Sequence, residues 1–246
     1  MELEEYRLMF GLEETHWWYR GLHNLLFSSI QKLFRKRQKI SILDAGCGTG
    51  FILKRLNEYG ISFGIDISEV ALRYCQIRGL DRVIKASILE LPFHDESFDL
   101  VISTDVFYHK AVDDDDKAIN EISRVLKKQG ILIVNLPAHD YLRRRHDEKV
   151  HTRHRYTKKE LYNKLQNSNF KIVKISYRNM LSFPILLFLK LIISSKMHKR
   201  TYTELKNVWN PINSILYGFL KIENLLLKKN VSIPFGTSIF CISKRQ

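Results

Sequence analysis

Between Asp44 and Gly50 the chain reads Asp-Ala-Gly-Cys-Gly-Thr-Gly, entered directly from the apolar run Ile40-Ser41-Ile42-Leu43. A carboxylate stands two residues ahead of the first of three glycines at alternate positions. Glycine allows a tight turn and leaves no Cβ between backbone and a bound molecule. The helix pattern that follows would present unpaired N–H groups to that molecule. This is the chemistry of a nucleotide-type cofactor loop.

The spacing narrows the cofactor. In the dinucleotide fingerprint the third glycine falls five residues after the first, but here that position is Phe51 and the third glycine is Gly50. An acid at the head of the loop suits a positive group better than a pyrophosphate. S-adenosylmethionine, with an α-ammonium, a sulfonium and no phosphate, meets that description. Asp66 follows Gly46 by 20 residues, where a carboxylate accepts ribose hydroxyls. A carboxylate there is equally expected for NAD, so Asp66 supports a nucleoside without choosing one. Cys47 needs only to be small.

The elements that must hold these residues read as alternating strands and helices. Ile40–Asp44, Ile61–Asp66, Arg82–Ala86, Phe98–Thr104, Gly130–Leu136, Phe170–Tyr177 and Thr237–Ser243 are expected strands. Helices are expected over 13–34, Phe51–Tyr59, from Ser68 to about Arg78, after Asp113–Asp116, and over Thr157–Asn167. Four acids at the start of a helix favour its macrodipole. Nearly continuous apolar strands alternating with helices imply a parallel sheet covered on both faces, with ligands at the carboxyl ends of its strands. That brings Asp44–Gly50, Asp66, Ser87, Thr104–His109 and the chain after Pro137 around one crevice.

With these motifs on the page, the chain resembles the class I S-adenosylmethionine-dependent methyltransferases. Ile42–Gly50, Gly64-Ile65-Asp66, Leu91-Pro92-Phe93, Phe98–Asp105 and Leu126–Val134 carry the likeness. His16-Trp17-Trp18-Tyr19-Arg20-Gly21, His154-Arg155-Tyr156-Thr157, Phe183-Pro184 and Pro234–Ser238 look like a bacterial and archaeal branch. Members of that branch often accompany enzymes of surface-glycan, lipid-linked sugar or secondary metabolism. The resemblance implies an α/β, Rossmann-like, doubly wound sheet of seven strands, the last antiparallel. It is expected as one domain: an N-terminal helical cap (1–39), a cofactor-binding core (40–140) and a substrate-side segment (141–246) with a helical insertion at 179–229.

By the same resemblance Asp44, Gly46, Cys47, Gly48 and Gly50 surround the methionine part of the cofactor, with Thr104 beside it. Asp66 takes the ribose, Ile67 packs on adenine, and Ser87 and Ile88 lie where relatives hold the adenine amine. Trp17 and its neighbours fold over as a lid, with Arg20 near the cofactor carboxylate. Methyl transfer to a hydroxyl needs a base. His109 is the first candidate, ahead of His151 and His154, while Tyr108 and Tyr156 orient the substrate.

Composition bounds the partners. Residues 1–139 carry 18 Lys/Arg against 20 Asp/Glu, whereas 140–246 carry 22 against 6. A basic second half implies an anionic partner, and Arg143–Arg155 offers guanidinium forks to phosphate or carboxylate. The acceptor is therefore expected to be an anionic, sugar-linked or amphipathic small molecule methylated at oxygen. RNA methylation is the alternative, disfavoured by the absence of any RNA-binding module. A non-catalytic, cofactor-binding membrane partner is another. Three scattered cysteines form neither a metal site nor a disulfide framework, which fits a cytoplasmic protein. The acidic start Met1–Glu5 does not read as a signal peptide. The apolar stretches 181–193 and 212–227 are expected to form a pocket lid, a homodimer surface or a peripheral membrane contact.

Overall fold

The computed structural model describes residues 1–35, 39–184 and 208–246. Seven strands form one sheet in the order β3-β2-β1-β4-β5-β7-β6. They are β1 (Ile40–Ala45), β2 (Gly60–Asp66), β3 (Val83–Lys85), β4 (Phe98–Thr104), β5 (Leu126–Pro137), β6 (Phe170–Arg178) and β7 (Ser238–Arg245). Strands β1 to β5 pair in parallel, and β7 runs antiparallel between β5 and β6. The expected architecture, including the antiparallel last strand, is the one observed.

The central strands are buried on both faces, as a doubly covered parallel sheet requires. On one face Ile42, Leu100, Ile102, Ile133 and Phe240 pack beneath α2 (Trp17–Leu33). On the other, Leu43, Val101, Leu132 and Ile239 meet Ile119 and Ile122 of α5 (Asp115–Val125) and Leu161 and Leu165 of α7 (Lys158–Asn167). The helices α3 (Phe51–Leu56) and α4 (Glu69–Ile77) flank β1 and β2. Their caps are those the sequence offers: Ser68 Oγ accepts from Ala71 N–H, and Thr157 and Glu160 form a reciprocal capping box.

Four elements differ from expectation. A helix α1 (Leu3–Leu12) precedes the aromatic cluster, where none is expected. Strand β5 starts four residues earlier, at Leu126, because Val125 runs from α5 straight into the strand. The acidic run does more than answer a helix dipole. Asp114 caps α5 through Lys117 N–H at 2.9 Å, but Asp115 is buried, accepting from Tyr156 OH at 2.6 Å and pairing with Arg153. Of the insertion, residues 179–184 and 208–229 are described, and the latter hold a long helix, α8 (Asn210–Lys228), after a short α6 (Arg145–Lys149) earlier in the chain. The apolar stretch 181–193 falls beyond residue 184 outside the described residues.

Helix α8 lies on α2. A Cβ on Gly21 would meet Leu220 Cδ1 at 2.3 Å, and Asn224 Nδ2 donates to Gly21 O at 2.9 Å. This contact fixes the N-terminal cap over the carboxyl ends of the strands. Among the described residues no helix is long and apolar enough to cross a membrane.

Candidate active site

A cavity of about 690 Å³ opens at the carboxyl ends of β1, β2, β4 and β5. Its floor is the glycine loop. Gly46 and Gly48 have φ of +95° and +54°, the left-handed region that L-residues avoid. Space is short as well: a Cβ on Gly46 would clash with Val106 Cγ2 at 2.2 Å, and one on Gly48 would press on the end of Met9, at 3.0 Å from Cε. Gly50 has φ +84° too, but it caps α3 and packs against Cys75 and Leu80 away from the cavity. Its expected place against a ligand is thus replaced by a packing role.

Asp66 ends β2 with its carboxylate turned into the cavity, accepting from Gly48 N–H at 3.0 Å and Ser68 N–H at 2.9 Å. Burial raises its pKa in spite of those donors. Ile67, Ser87, Ile88 and Thr104 line the same wall. Ser87 Oγ accepts from Leu89 N–H at 3.2 Å, so its hydroxyl already shapes a turn.

Asp44 is placed differently from expectation. It stands behind the loop, 1% exposed, rather than on the cavity wall, and neither of its carboxylate oxygens has a hydrogen-bond partner. Burial, with Asp66 and Glu13 nearby, lifts its pKa to about 8. A buried acid without a donor is costly when ionised, so in the free protein Asp44 is held neutral at pH 7. Cys47 does line the cavity, but its thiol is pushed well up by the hydrogen bond with Cys75 and by burial, leaving no thiolate.

The roof comes from α1 and α2. Tyr6 and Met9 lie over the loop, and Trp17, Trp18 and Tyr19 close one side. Glu13 fastens the end of α1: its carboxylate accepts from Thr49 Oγ1 and Arg78 Nη2, each at 2.5 Å, and burial brings its pKa to about 7. Trp17 N–H donates to Asn213 Oδ1 of α8 at 2.8 Å. Arg20, expected near a ligand carboxylate, instead lays its guanidinium over the Tyr217 ring at 4.0 Å and does not reach the cavity.

The inner end of the cavity is polar. Asp105, one residue past β4, faces it in a left-handed conformation, φ +58°. Its two oxygens accept from Asn135 Nδ2 at 3.1 and 3.2 Å, and Asn135 Oδ1 accepts in turn from the buried Arg178 at 3.2 Å. Burial raises Asp105 to about 7, and the Arg178 charge and the Asn135 bond keep it from rising further. Tyr108 stands next to it with its phenol pushed up by burial.

His109 also lines the cavity, with its pKa lowered to about 4 by burial and by the Met1 amino group. Its Nδ1 accepts from Ala111 N–H at 3.1 Å, and its Nε2 lies 3.2 Å from the Met1 amino nitrogen, which also reaches His151 Nδ1 at 3.1 Å. His154 is outside the cavity, held by Glu160 at 2.8 Å and Asp140 at 3.5 Å, because the α7 cap brings Glu160 beneath it. Tyr156 is buried on Asp115 rather than facing a substrate.

Much of the basic stretch turns inward. Arg143 donates to the carbonyls of Thr152 and Arg153, Arg153 pairs with Asp115, and Arg155 forms a two-point bond with Asp147 at 2.7 and 2.9 Å. These guanidinium groups build the loop over the cavity instead of awaiting a phosphate.

Tyr6, Met9 and Glu13 are the site residues that sequence reasoning did not single out, and Asp105 is expected at the crevice without a role as base. Tyr6, Met9 and Glu13 recur at helical spacing behind an acidic first turn, a signal present in the chain.

A family profile described as "Methyltransferase domain" matches residues 43–134. An uncharacterized protein of Methanocaldococcus jannaschii is 31% identical over 169 residues, covering 66% of this chain and 80% of that protein. A second protein of the same organism is 37% identical over 113 residues, covering 45% of this chain, and the match spans 48% of the relative's length. The fold is similar to a putative sarcosine dimethylglycine methyltransferase from Galdieria sulphuraria, with a TM-score of 0.60, 16% identity, and coverage of 92% of this chain and 85% of that one.

Proposed function

The chain belongs to the class I S-adenosylmethionine-dependent methyltransferases, and on that premise we propose that it methylates a small-molecule acceptor, at oxygen, inside the closed cavity. The observation that carries this reading is the juxtaposition, in one roofed cavity, of the glycine loop and a carboxyl group poised near neutrality. At about 690 Å³ the cavity lies within the range of about 300–1,000 Å³ typical of small-ligand sites. It is covered by α1 and by the Trp17–Tyr19 segment, and Arg143, Arg153 and Arg155 of the basic stretch beside it are engaged in internal ion pairs. Both features favour a small acceptor over a nucleic acid.

The residues present fit the cofactor. Gly46 and Gly48 keep a cradle that a Cβ would fill, and Asp66 turns carboxylate oxygens toward where ribose hydroxyls would donate. Asp44 is an unpaired buried carboxyl that a cation above the loop would stabilise in its ionised form. When bound, S-adenosylmethionine supplies an activated methyl group on a sulfonium centre.

The chain's own work is positioning, water exclusion and proton removal. Trp17, Trp18, Tyr6 and Met9 wall the reacting centre from solvent. Tyr19 and Tyr108, protonated throughout the neutral range, orient the acceptor as hydrogen-bond donors. Asp105 takes the acceptor's hydroxyl proton, since its pKa of about 7 matches the working range of a general base. His109, with Nδ1 on Ala111 N–H and Nε2 beside the Met1 amino group, is engaged within the chain and is not the base.

The reading is tested by formation of S-adenosylhomocysteine with a panel of hydroxylated anionic and amphipathic small molecules, run beside total tRNA. Turnover is expected with a small molecule; turnover with tRNA alone would overturn the acceptor class.

Asp44 gives a separate expectation. Its folded pKa of about 8 exceeds the ordinary 3.8, so the free protein holds a proton there at pH 7. A cation above the loop lowers that pKa, and up to roughly one proton should be released on binding near pH 7 and little at pH 9. Calorimetry in buffers of different ionisation enthalpy reads this number. S-adenosylhomocysteine, which lacks the sulfonium charge, should release fewer protons, and Asp44→Asn should remove most of the release. Equal release from both ligands and from the variant would dissociate Asp44 from cofactor charge.

A further inference from the structure

We infer that the outer face of α8 is a docking surface for an anionic lipid bilayer. The inner face of this helix is already used: Leu220 and Leu227 are buried, and Asn224 bonds to α2. Among the described residues the opposite flank is not. Ile212, Ile215, Phe219, Ile222 and Leu226 recur at spacings of three and four residues, which sets them on one stripe, and they are 42–59% exposed. Trp209, 72% exposed, stands at the start of the helix, where an indole suits the boundary between headgroups and acyl chains. A contiguous exposed apolar stripe of this length marks an interaction surface in a soluble fold.

Charge selects the occupant. From residue 205 to the end of the sequence Glu223 is the only acidic residue. It is buried, accepting from Asn179 N–H at 2.6 Å and Met180 N–H at 2.8 Å. Lys221, Lys228 and Lys229 belong to the same helix or its cap. The exposed half of α8 thus carries the apolar stripe with Lys229 beside it and Lys221 and Lys228 along its other edge, and no acid of 208–229 is exposed, the pairing that an anionic membrane surface attracts. A second copy would bring the same lysines together with no carboxylate to answer them, which disfavours self-association.

Flotation of the full chain with vesicles of phosphatidylcholine alone or with added phosphatidylglycerol tests this without any methyl acceptor. The protein should float with the anionic vesicles, at least about tenfold more weakly with neutral ones, and progressively less as salt rises. The paired substitution Ile215→Asp and Ile222→Asp should weaken flotation at least about tenfold. Both side chains are exposed, so the variant should keep its circular dichroism; if it does not, Phe219→Ser provides the same test. Absence of flotation at low salt, or unchanged flotation of a folded variant, would overturn the assignment. So would a dimer, seen by sedimentation velocity in place of flotation and dissolved by the same substitutions, which would give the face to a second copy. Flotation that appears only after removal of 185–207 would give it to that segment.

Discussion

An Asp105→Asn enzyme is expected to lose about two to four orders of magnitude in kcat, the usual contribution of a general base, with its affinity for S-adenosylmethionine little changed. The substitution keeps the shape of the side chain and removes its ability to take a proton. The environment explains why the effect should be this large. Asn135 donates to both carboxylate oxygens, at 3.1 and 3.2 Å, and Arg178 stands behind Asn135. This arrangement fixes the carboxylate while burial holds its pKa at about 7.

Activity of the wild type should therefore rise with pH up to about 7 as the carboxylate forms, and then level. In Asp105→Asn that rising limb should vanish. His109→Ala should keep it, because a ring whose pKa is about 4 is already neutral across that range. Single-turnover rates across about pH 5 to 9 distinguish these outcomes. A limb that survives in Asp105→Asn and disappears in His109→Ala would return the base to the histidine.

The second large effect concerns affinity. Asp66→Ala is expected to weaken S-adenosylmethionine binding by about 100-fold or more. Two charge-assisted hydrogen bonds to ribose hydroxyls are lost, each worth roughly 1.5–3 kcal/mol. The carboxylate also accepts from Gly48 and Ser68 N–H, so the variant releases the loop as well as the sugar. Asp66→Asn, which retains an acceptor oxygen, should fall between the two. Calorimetric titration gives the dissociation constant, and kcat at saturating cofactor should change far less than affinity. A tenfold or smaller loss in Asp66→Ala would mean that the ribose is held elsewhere.

The order of the fold and the loop at its heart were legible because local signals specify them. Alternating apolar strands and helical patterns, Ser68 and Thr157 as caps, and glycines that tolerate no Cβ all act within a few residues. The site was legible only where it is built locally. Gly46, Gly48 and Asp66 are found by spacing, but Asp105 owes its pKa to burial tempered by Asn135 and Arg178, brought beside it by β5 and by the placement of β6 across β7. No window of the sequence contains that grouping. The misplacements have the same cause: Arg20, His154 and Tyr156 are polar groups near the crevice in sequence, each claimed by a partner (Tyr217, Glu160, Asp115) that the tertiary fold supplies. The basic second half misleads in a similar way, since charge counts cannot show that Arg143, Arg153 and Arg155 are paired internally.

Glu13 joins the end of α1 to Thr49 and Arg78, while Tyr6 and Met9 rest over the glycine loop. A nucleoside seated beneath them lies under this helix, so release that passes this side of the cavity requires the helix to move. The clock for exchanging spent cofactor is then set in part by how firmly Glu13 holds this helix down. Two enzymes with the same cavity and different first helices would differ in dwell time before they differed in chemistry.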